Sequence, residues 1–354
     1  MRIHFIDAMR SVLMVLGVVL HAAKVYTVSG RWELHDSAAT NPLFDGIVAL
    51  ISSFRMPAFF VIAGFFAQMT LERHGRKYFL WHRLRRLAIP FLATALLLNS
   101  LQLWLQYRLP VLAESSLPFP GSVAEIFTSG RWLQHLWFLV VLLIFSLFAL
   151  PLSKSVATKT VSGQGWWQGH WLAVFLLVGA FSEMAAHSLL HVVRILMAGP
   201  FVFGLVDPVS LLTFVPFFLF GLWLFTNPAR LKDFCRPGLA TLVAAVVAVV
   251  AELLHRWLIT LPETRLQTFV SWGYDGIVHW LGCHLCFSAF WWTVRRPSGF
   301  WRYCSDASYT VYLAHHLLVI LIAGSLLNVA WSANAKFLTV SGLVLLATVI
   351  IHEL

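Results

Sequence analysis

Apolar stretches long enough to cross a bilayer recur from one end of this chain to the other, and no other feature restricts its fold as strongly. They fall at about 8–27, 45–70, 87–107, 135–153, 171–190, 208–226, 238–256, 269–294, 306–327 and 337–351. A hydrocarbon core about 30 Å thick takes roughly 20 residues of α-helix, and unpaired backbone groups are too costly there for an open structure. The expected fold is therefore all-α: a polytopic membrane protein of about ten transmembrane helices, forming one domain over 1–354. Composition agrees. Of 354 residues, 59% are hydrophobic and 11% charged, with mean hydropathy +0.79, whereas a soluble domain carries about 25% charged residues. Disordered, collagen-like and disulfide-framework classes are excluded on the same grounds. The 4 cysteines lie deep in apolar sequence. Cys283-x-x-Cys286 has no second pair to complete a zinc set and reads as helix packing.

Basic residues orient such a bundle, because they gather on the cytoplasmic side. With an even number of spans and both termini in the cytoplasm, most of the 25 Lys and Arg fall in inner segments. The cluster Arg73, Arg76, Lys77, Arg83, Arg85 and Arg86 and the trio Arg295, Arg296 and Arg302 are the main contributors. The formal charge of +10 is thus a topology signal first and a sign of an anionic cytosolic ligand second; nucleic acid is not needed to explain it. Arg10 lies inside the first apolar run and no small-residue cleavage site follows, so this run reads as a retained span. Outer loops at about 28–44 and 108–133 are long and rich in Pro, Ser, Gly and Trp. The chain stops at His352-Glu353-Leu354 directly after an apolar stretch, which leads us to expect a further cytoplasmic tail.

Ionisable groups within spans cost about 2.5–3.5 kcal/mol each on insertion scales and mark functional sites by default. Arg10 and His21 are eleven residues apart, about three helical turns and about 16 Å, so they point the same way, one near the cytosol and one past the midplane. Asp7 is placed to pair with Arg10. A dry environment keeps an imidazole neutral and able to act as a base. Arg55, in Ser53-Phe54-Arg55-Met56-Pro57, needs an anion, either Asp45 or a ligand, and Pro57 is expected to break the helix nearby. Gly64 suits close helix packing. Arg83 and Arg86, at i and i+3 where the third span begins, suit a phosphate. His135 and Trp137 open the fourth span at its outer end. Ser308, Tyr312, His315 and His316 form one polar stripe on the ninth, which reads as a wet pocket; no carboxylates stand at ligand spacing, so no metal is expected. Each of these also has a structural reading: snorkelling for Arg10, an ion pair for Arg55, positive-inside charge for Arg83 and Arg86, and an interfacial belt for Trp137.

Taken together and in order, Arg10-x10-His21, Ser53-Phe54-Arg55 with Phe59-Phe60-Val61-Ile62 and Gly64, Arg83-x-x-Arg86 with Pro90, His135-Leu136-Trp137-Phe138-Leu139, and Tyr312-Leu313 with His315-His316 resemble the acyltransferase-3 family. The resemblance runs from about residue 4 to the end. Its members are ten-span acyltransferases that modify surface and periplasmic carbohydrates. Phe5-Ile6-Asp7-Ala8-Met9-Arg10, Ser53-Phe54-Arg55-Met56 and the His315-His316 doublet are most similar to the branch that succinylates osmoregulated periplasmic glucans, while Pro57-Ala58 reads closer to the wider family. The resemblance implies an inner-membrane O-acyltransferase with acyl-CoA, chiefly succinyl-CoA, as co-substrate and no permanently bound cofactor. Arg10, Arg83 and Arg86 would bind the CoA phosphates. His21 would act as general base or transient acyl carrier, with Asp7, Arg10, Arg55 and Tyr312 in the catalytic set and the Tyr312 hydroxyl or Arg55 at the oxyanion. His135, Trp137, Ser308, His315 and His316 would line the acceptor pocket. Expected partners are the glucan, membrane lipids, and other glucan biosynthesis proteins or a second copy. A secondary transporter of an organic anion would use similar residues, but no pair of Gly/Pro-broken spans recurs in the two halves. O-acetyl transfer to another polysaccharide and a non-enzymatic scaffold are the other readings.

Overall fold

In a computed structural model, the structure describes residues 3–30, 32–108, 122–158, 173–174, 176–189, 204–258 and 264–354. Residues 109–121 of the loop expected at 108–133 and residues 171, 172, 175 and 190 of the window at 171–190 lie outside them. The described residues include thirteen α-helices. These are α1 (His4–Val25), α2 (Pro42–Arg83), α3 (Ile89–Thr94), α4 (Ser100–Arg108), α5 (Val123–Thr128), α6 (Trp137–Thr158), α7 (Leu176–Leu189), α8 (Pro208–Phe225), α9 (Pro228–Phe234), α10 (Leu239–Leu258), α11 (Arg265–Thr293), α12 (Gly299–Ser325) and α13 (Ala333–Glu353).

Six helical runs are long and apolar enough to cross a membrane among the described residues, or seven when the pair Pro228–Phe234 and Leu239–Ala251, bent by 49°, counts as one. The ten-span count is not confirmed among the described residues. The second and third windows belong to one helical run, Pro42–Gln106, of 65 residues. At 1.5 Å per residue this is about three bilayer thicknesses. It bends at Gly75, whose φ of 77° and ψ of 176° leave helical geometry, a conformation glycine adopts without Cβ strain. The fifth window yields only the short Leu176–Leu189. The expected break at Pro57 does not occur: α2 runs through it, and Gly75 is its non-helical residue. Buried among neighbouring helices, the proline is accommodated as membrane helices often allow.

Helix α1 packs along α12 and α2, and α2 packs along α8 and α11. The α2–α8 crossing is tight because a Cβ at Gly64 would collide with the Phe218 carbonyl oxygen and one at Gly221 with that of Val61. Gly64 thus packs closely, as its sequence context suggested, since two small residues let backbones approach. Cys283 is buried in the same apolar core and Cys286 packs against it. After α1, the segment at 26–41 folds back over the bundle. Asp45 accepts from the Val28 and Ser29 amides at 2.8 and 3.3 Å. Asp36 receives the Lys336 ammonium at 2.6 Å, and Lys336 also donates to the Leu327 carbonyl at 3.2 Å. Both charged side chains are at most 3% exposed. Removing one member of such a pair leaves a bare buried charge, typically at a cost of about 3–5 kcal/mol, whereas replacing both costs far less. Asp36→Ala is expected to lower the thermal midpoint in detergent markedly, and Asp36→Leu with Lys336→Met to recover most of it.

Candidate functional site

A cavity of about 310 Å³ lies between these helices, lined by Met14, Leu20, His21, Lys24, Ser52, Arg55, Met56, Phe59, His135, Trp137, Phe138, Phe214, His279, Tyr312 and His315. Six of these residues have basic side chains, and none is a carboxylate. Arg55, 6% exposed, donates from Nε to the Leu13 carbonyl at 2.8 Å and has Nη1 3.8 Å from the Met56 sulfur. Its guanidinium lies against Gly17, where an added Cβ would fall 2.5 Å from Nη2. Among the described residues no carboxylate lies within salt-bridge distance of it. Asp45, expected as its partner, instead holds the Val28 and Ser29 amides; an exposed backbone turn claims that carboxylate before a deeper side chain can.

Four histidines meet beside this cationic wall. The His21 ring is 5.2 Å from His315 and 4.7 Å from His316, and His135 is 5.1 Å from His315 and stacks on His316 at 4.8 Å. Acceptor-only partners set two of the tautomers. His315 Nδ1 faces the Val311 and Tyr312 carbonyls at 3.1 and 2.8 Å. His316 Nδ1 faces Gln102 Oε1 at 3.0 Å. Each Nδ1 therefore carries the hydrogen, leaving Nε2 as the basic nitrogen. The His315 Nε2, the His21 Nδ1 and both ring nitrogens of His135 are buried without a hydrogen-bond partner among the described residues. Unpaired buried nitrogens in such number call for a ligand or water.

Arg10 faces α12 as His21 does, donating to the Ser305 hydroxyl. It lines a second, smaller cavity of about 60 Å³ with His4, Asp7, Ser298, Trp301, Arg302, Ser305 and Asp306. Among the described residues Arg10 and His21 thus line separate cavities, and Arg55 lines the one that holds His21. Three further placements differ from expectation. The Tyr312 hydroxyl donates to the His135 carbonyl at 2.9 Å, so its hydrogen positions His135 and is not directed at an oxyanion. Ser308 bonds back to the Ser305 carbonyl at 2.8 Å, the usual resting place of a serine within a helix. Arg83 and Arg86 do not share a helical face, because Leu84–Ala88 is a π-turn, whose wider winding rotates residues three apart away from one another. Arg83 lies over the Phe79 ring at 5.0 Å, while exposed Arg86 accepts the Tyr309 hydroxyl on its carbonyl at 2.8 Å.

Several site residues carried no signal of their own. The 26–41 segment brings Trp32 within 5.5 and 5.4 Å of the His21 and His316 rings. Glu33 accepts from Gln102 and Gln106, each at 3.1 Å, and lies 3.9 Å from His316. Gln102 also donates to Gln134 at 2.7 Å. Gln134 has φ 50°, a strained value that sits beside the site. On α11, His279 lines the cavity, and its partner Glu183 on α7 is discussed below. The polar interruption at Ser182, Glu183 and His187, which weakens the fifth window as a span, was the one available clue.

Burial pushes the Glu33 carboxyl up to about 7, against the lowering effect of its hydrogen bond from Gln106 and of Lys24. Between the ordinary carboxyl range and pH 7 the folded protein then holds a proton that the unfolded chain has released. Folding stability from this group falls as pH rises through that window. Glu33→Gln is expected to flatten the thermal midpoint against pH between about 4.5 and 7, as read by melting in detergent over a pH series.

Comparison with known proteins agrees with this geometry. The family model described as "Acyltransferase domain" (acyltransferase-3) matches residues 3–353. Glucans biosynthesis protein C of Salmonella typhi is 28% identical over 338 residues, covering 90% of this chain and 83% of that protein. Its counterpart in Escherichia coli (strain K12 / DH10B) is 27% identical over 336 residues, covering 90% and 82%. No solved structure matches. A helical membrane bundle, a buried histidine and arginine site and a family match over nearly its whole length lead to one conclusion: this chain belongs to the acyltransferase-3 family.

Proposed function

We propose that this chain is a transmembrane O-acyltransferase that moves a succinyl group from cytosolic succinyl-CoA to hydroxyl groups of a periplasmic glucan. It would act in the bacterial inner membrane with both termini in the cytoplasm. One observation carries the reading: a buried cavity that combines His21 with Lys24 and Arg55 and has no carboxylate in its lining. Such a cavity favours an anionic acyl group and a neutral base. The family match and the relatives named glucans biosynthesis protein C support the reaction class and the acceptor.

In the direct mechanism, His21 takes the proton of a sugar hydroxyl while its oxygen bonds to the thioester carbonyl carbon. The carbon–sulfur bond breaks, and the coenzyme A thiolate leaves and is protonated. Arg55 holds the free succinyl carboxylate and the developing oxyanion by charge-assisted hydrogen bonds. In the two-step variant, His21 first carries the acyl group itself. Arg10 at the smaller cavity, oriented by Asp7, meets the CoA phosphates together with Arg83 and Arg86; His135, His315 and His316 shape the chamber around His21. Accessory glucan biosynthesis proteins, or a second copy, are the partners expected outside the chain.

Mass spectrometry of periplasmic glucans from cells with and without this protein tests the reading, since succinyl and acetyl differ in mass and charge. Neutral, unsubstituted glucans in both strains would refute it; acetylated glucans would replace the donor with acetyl-CoA. His21→Ala is expected to lower transfer by about a hundredfold or more, the usual worth of a general base. Unchanged glucan charge in that strain would remove His21 from the mechanism. Arg55→Gln should cost succinyl transfer about ten- to a hundredfold, the worth of a hydrogen bond to a charged group, and acetyl transfer much less. Arg83→Ala with Arg86→Ala should weaken CoA binding to detergent-purified protein that melts as wild type does, and a transporter of small anions would not be stabilised by CoA at all.

A further inference from the structure

The wall of the cavity built by α7, α8 and α11 holds a second histidine system that the mechanism above does not use. Glu183 on α7 is 3% exposed. Its Oε1 lies 2.8 Å from His279 Nδ1, and its Oε2 accepts the Thr213 hydroxyl at 2.7 Å. His187 stands 3.8 Å away, one turn along α7. A carboxylate so placed fixes the hydrogen on His279 Nδ1, which makes Nε2 an acceptor. His279 lines the same cavity as His21, beside Trp137 and Phe214, whose rings stack at 5.9 Å. An interhelical clamp alone would be met by Thr213 on α8. A histidine with one nitrogen tied to a carboxylate, the other left for the cavity and an aromatic wall beside it matches a sugar: its hydroxyls donate, and its C–H face packs on aromatic rings.

We propose that His279, held by Glu183, grips the acceptor sugar by accepting one of its hydroxyls at Nε2, with Trp137 and Phe214 packing on the pyranose face. This deepens the acyltransferase reading and rests on it. His279 touches the sugar, and Glu183 is a positioning residue acting through it.

The test uses detergent-purified full chain with cellotetraose as acceptor and succinyl-CoA as donor. Sugar binding is measured without donor, CoA binding without sugar, and transfer with both. His279→Ala is expected to weaken cellotetraose binding and raise the acceptor KM at least about tenfold. CoA binding and kcat should stay within about threefold of wild type. His279→Gln keeps an acceptor oxygen and should recover part of the loss. Glu183→Gln, which still accepts from Nδ1, should stay near wild type while Glu183→Ala behaves like His279→Ala; this pair decides the matter if His279→Ala does not fold. Wild type that does not bind cellotetraose, a His279→Ala protein that binds it equally well, or loss of CoA binding in parallel would each overturn the proposal. Wild type that binds the sugar through His279 but transfers no acyl group from succinyl-CoA or acetyl-CoA would refute the acyltransferase reading and leave the sugar site standing.

Discussion

The site is organised around a guanidinium held in the bundle without a carboxylate beside it. A buried cation is stable only when something replaces its water, and Arg55 has one backbone carbonyl from Leu13 and the space above Gly17. With one backbone carbonyl for its five N–H donors, it leaves an electrostatic demand that an anion entering the cavity would meet. Lys24 on the same lining strengthens that demand. The arrangement depends on Gly17, where a side chain would displace the Arg55 guanidinium.

The histidines answer a different need. A base must present a lone pair inside a dry site, and a free imidazole can present either nitrogen. Here His315, His316 and His279 each tie Nδ1 to an acceptor: backbone carbonyls, the Gln102 amide oxygen and the Glu183 carboxylate. The choice of nitrogen is thereby made before any substrate arrives, which is the preorganisation that site chemistry requires. His21 has no such anchor on Nδ1, and His135 has none on either ring nitrogen, which leaves both imidazoles suited to change protonation during a reaction.

Sequence patterns at helical spacing carried well where the helix stayed an α-helix. Arg10 and His21 face the same neighbour because α1 is regular between them, and Gly64 meets a carbonyl because small residues in apolar sequence serve that purpose. The same logic failed at Arg83 and Arg86, where a π-turn changed the winding. It failed at Asp45, where loop amides captured the carboxylate, and at Tyr312, where the nearest acceptor was the backbone of another segment. Hydropathy windows and helices also differ in their bounds, since the second and third windows lie in one helical run with a non-helical residue at Gly75.

By itself the amino-acid order determined a membrane-embedded helical bundle, the charges it would bury and the family motif, because hydropathy and spacing along one helix are local properties of the chain. Tertiary structure alone decided which buried groups meet. Glu33 and Trp32 reach the histidines from a loop, Glu183 finds His279 across 96 positions, and Lys336 finds Asp36 across 300. Such pairings depend on how helices cross and how a loop folds back over them, and no periodicity within a single segment encodes either.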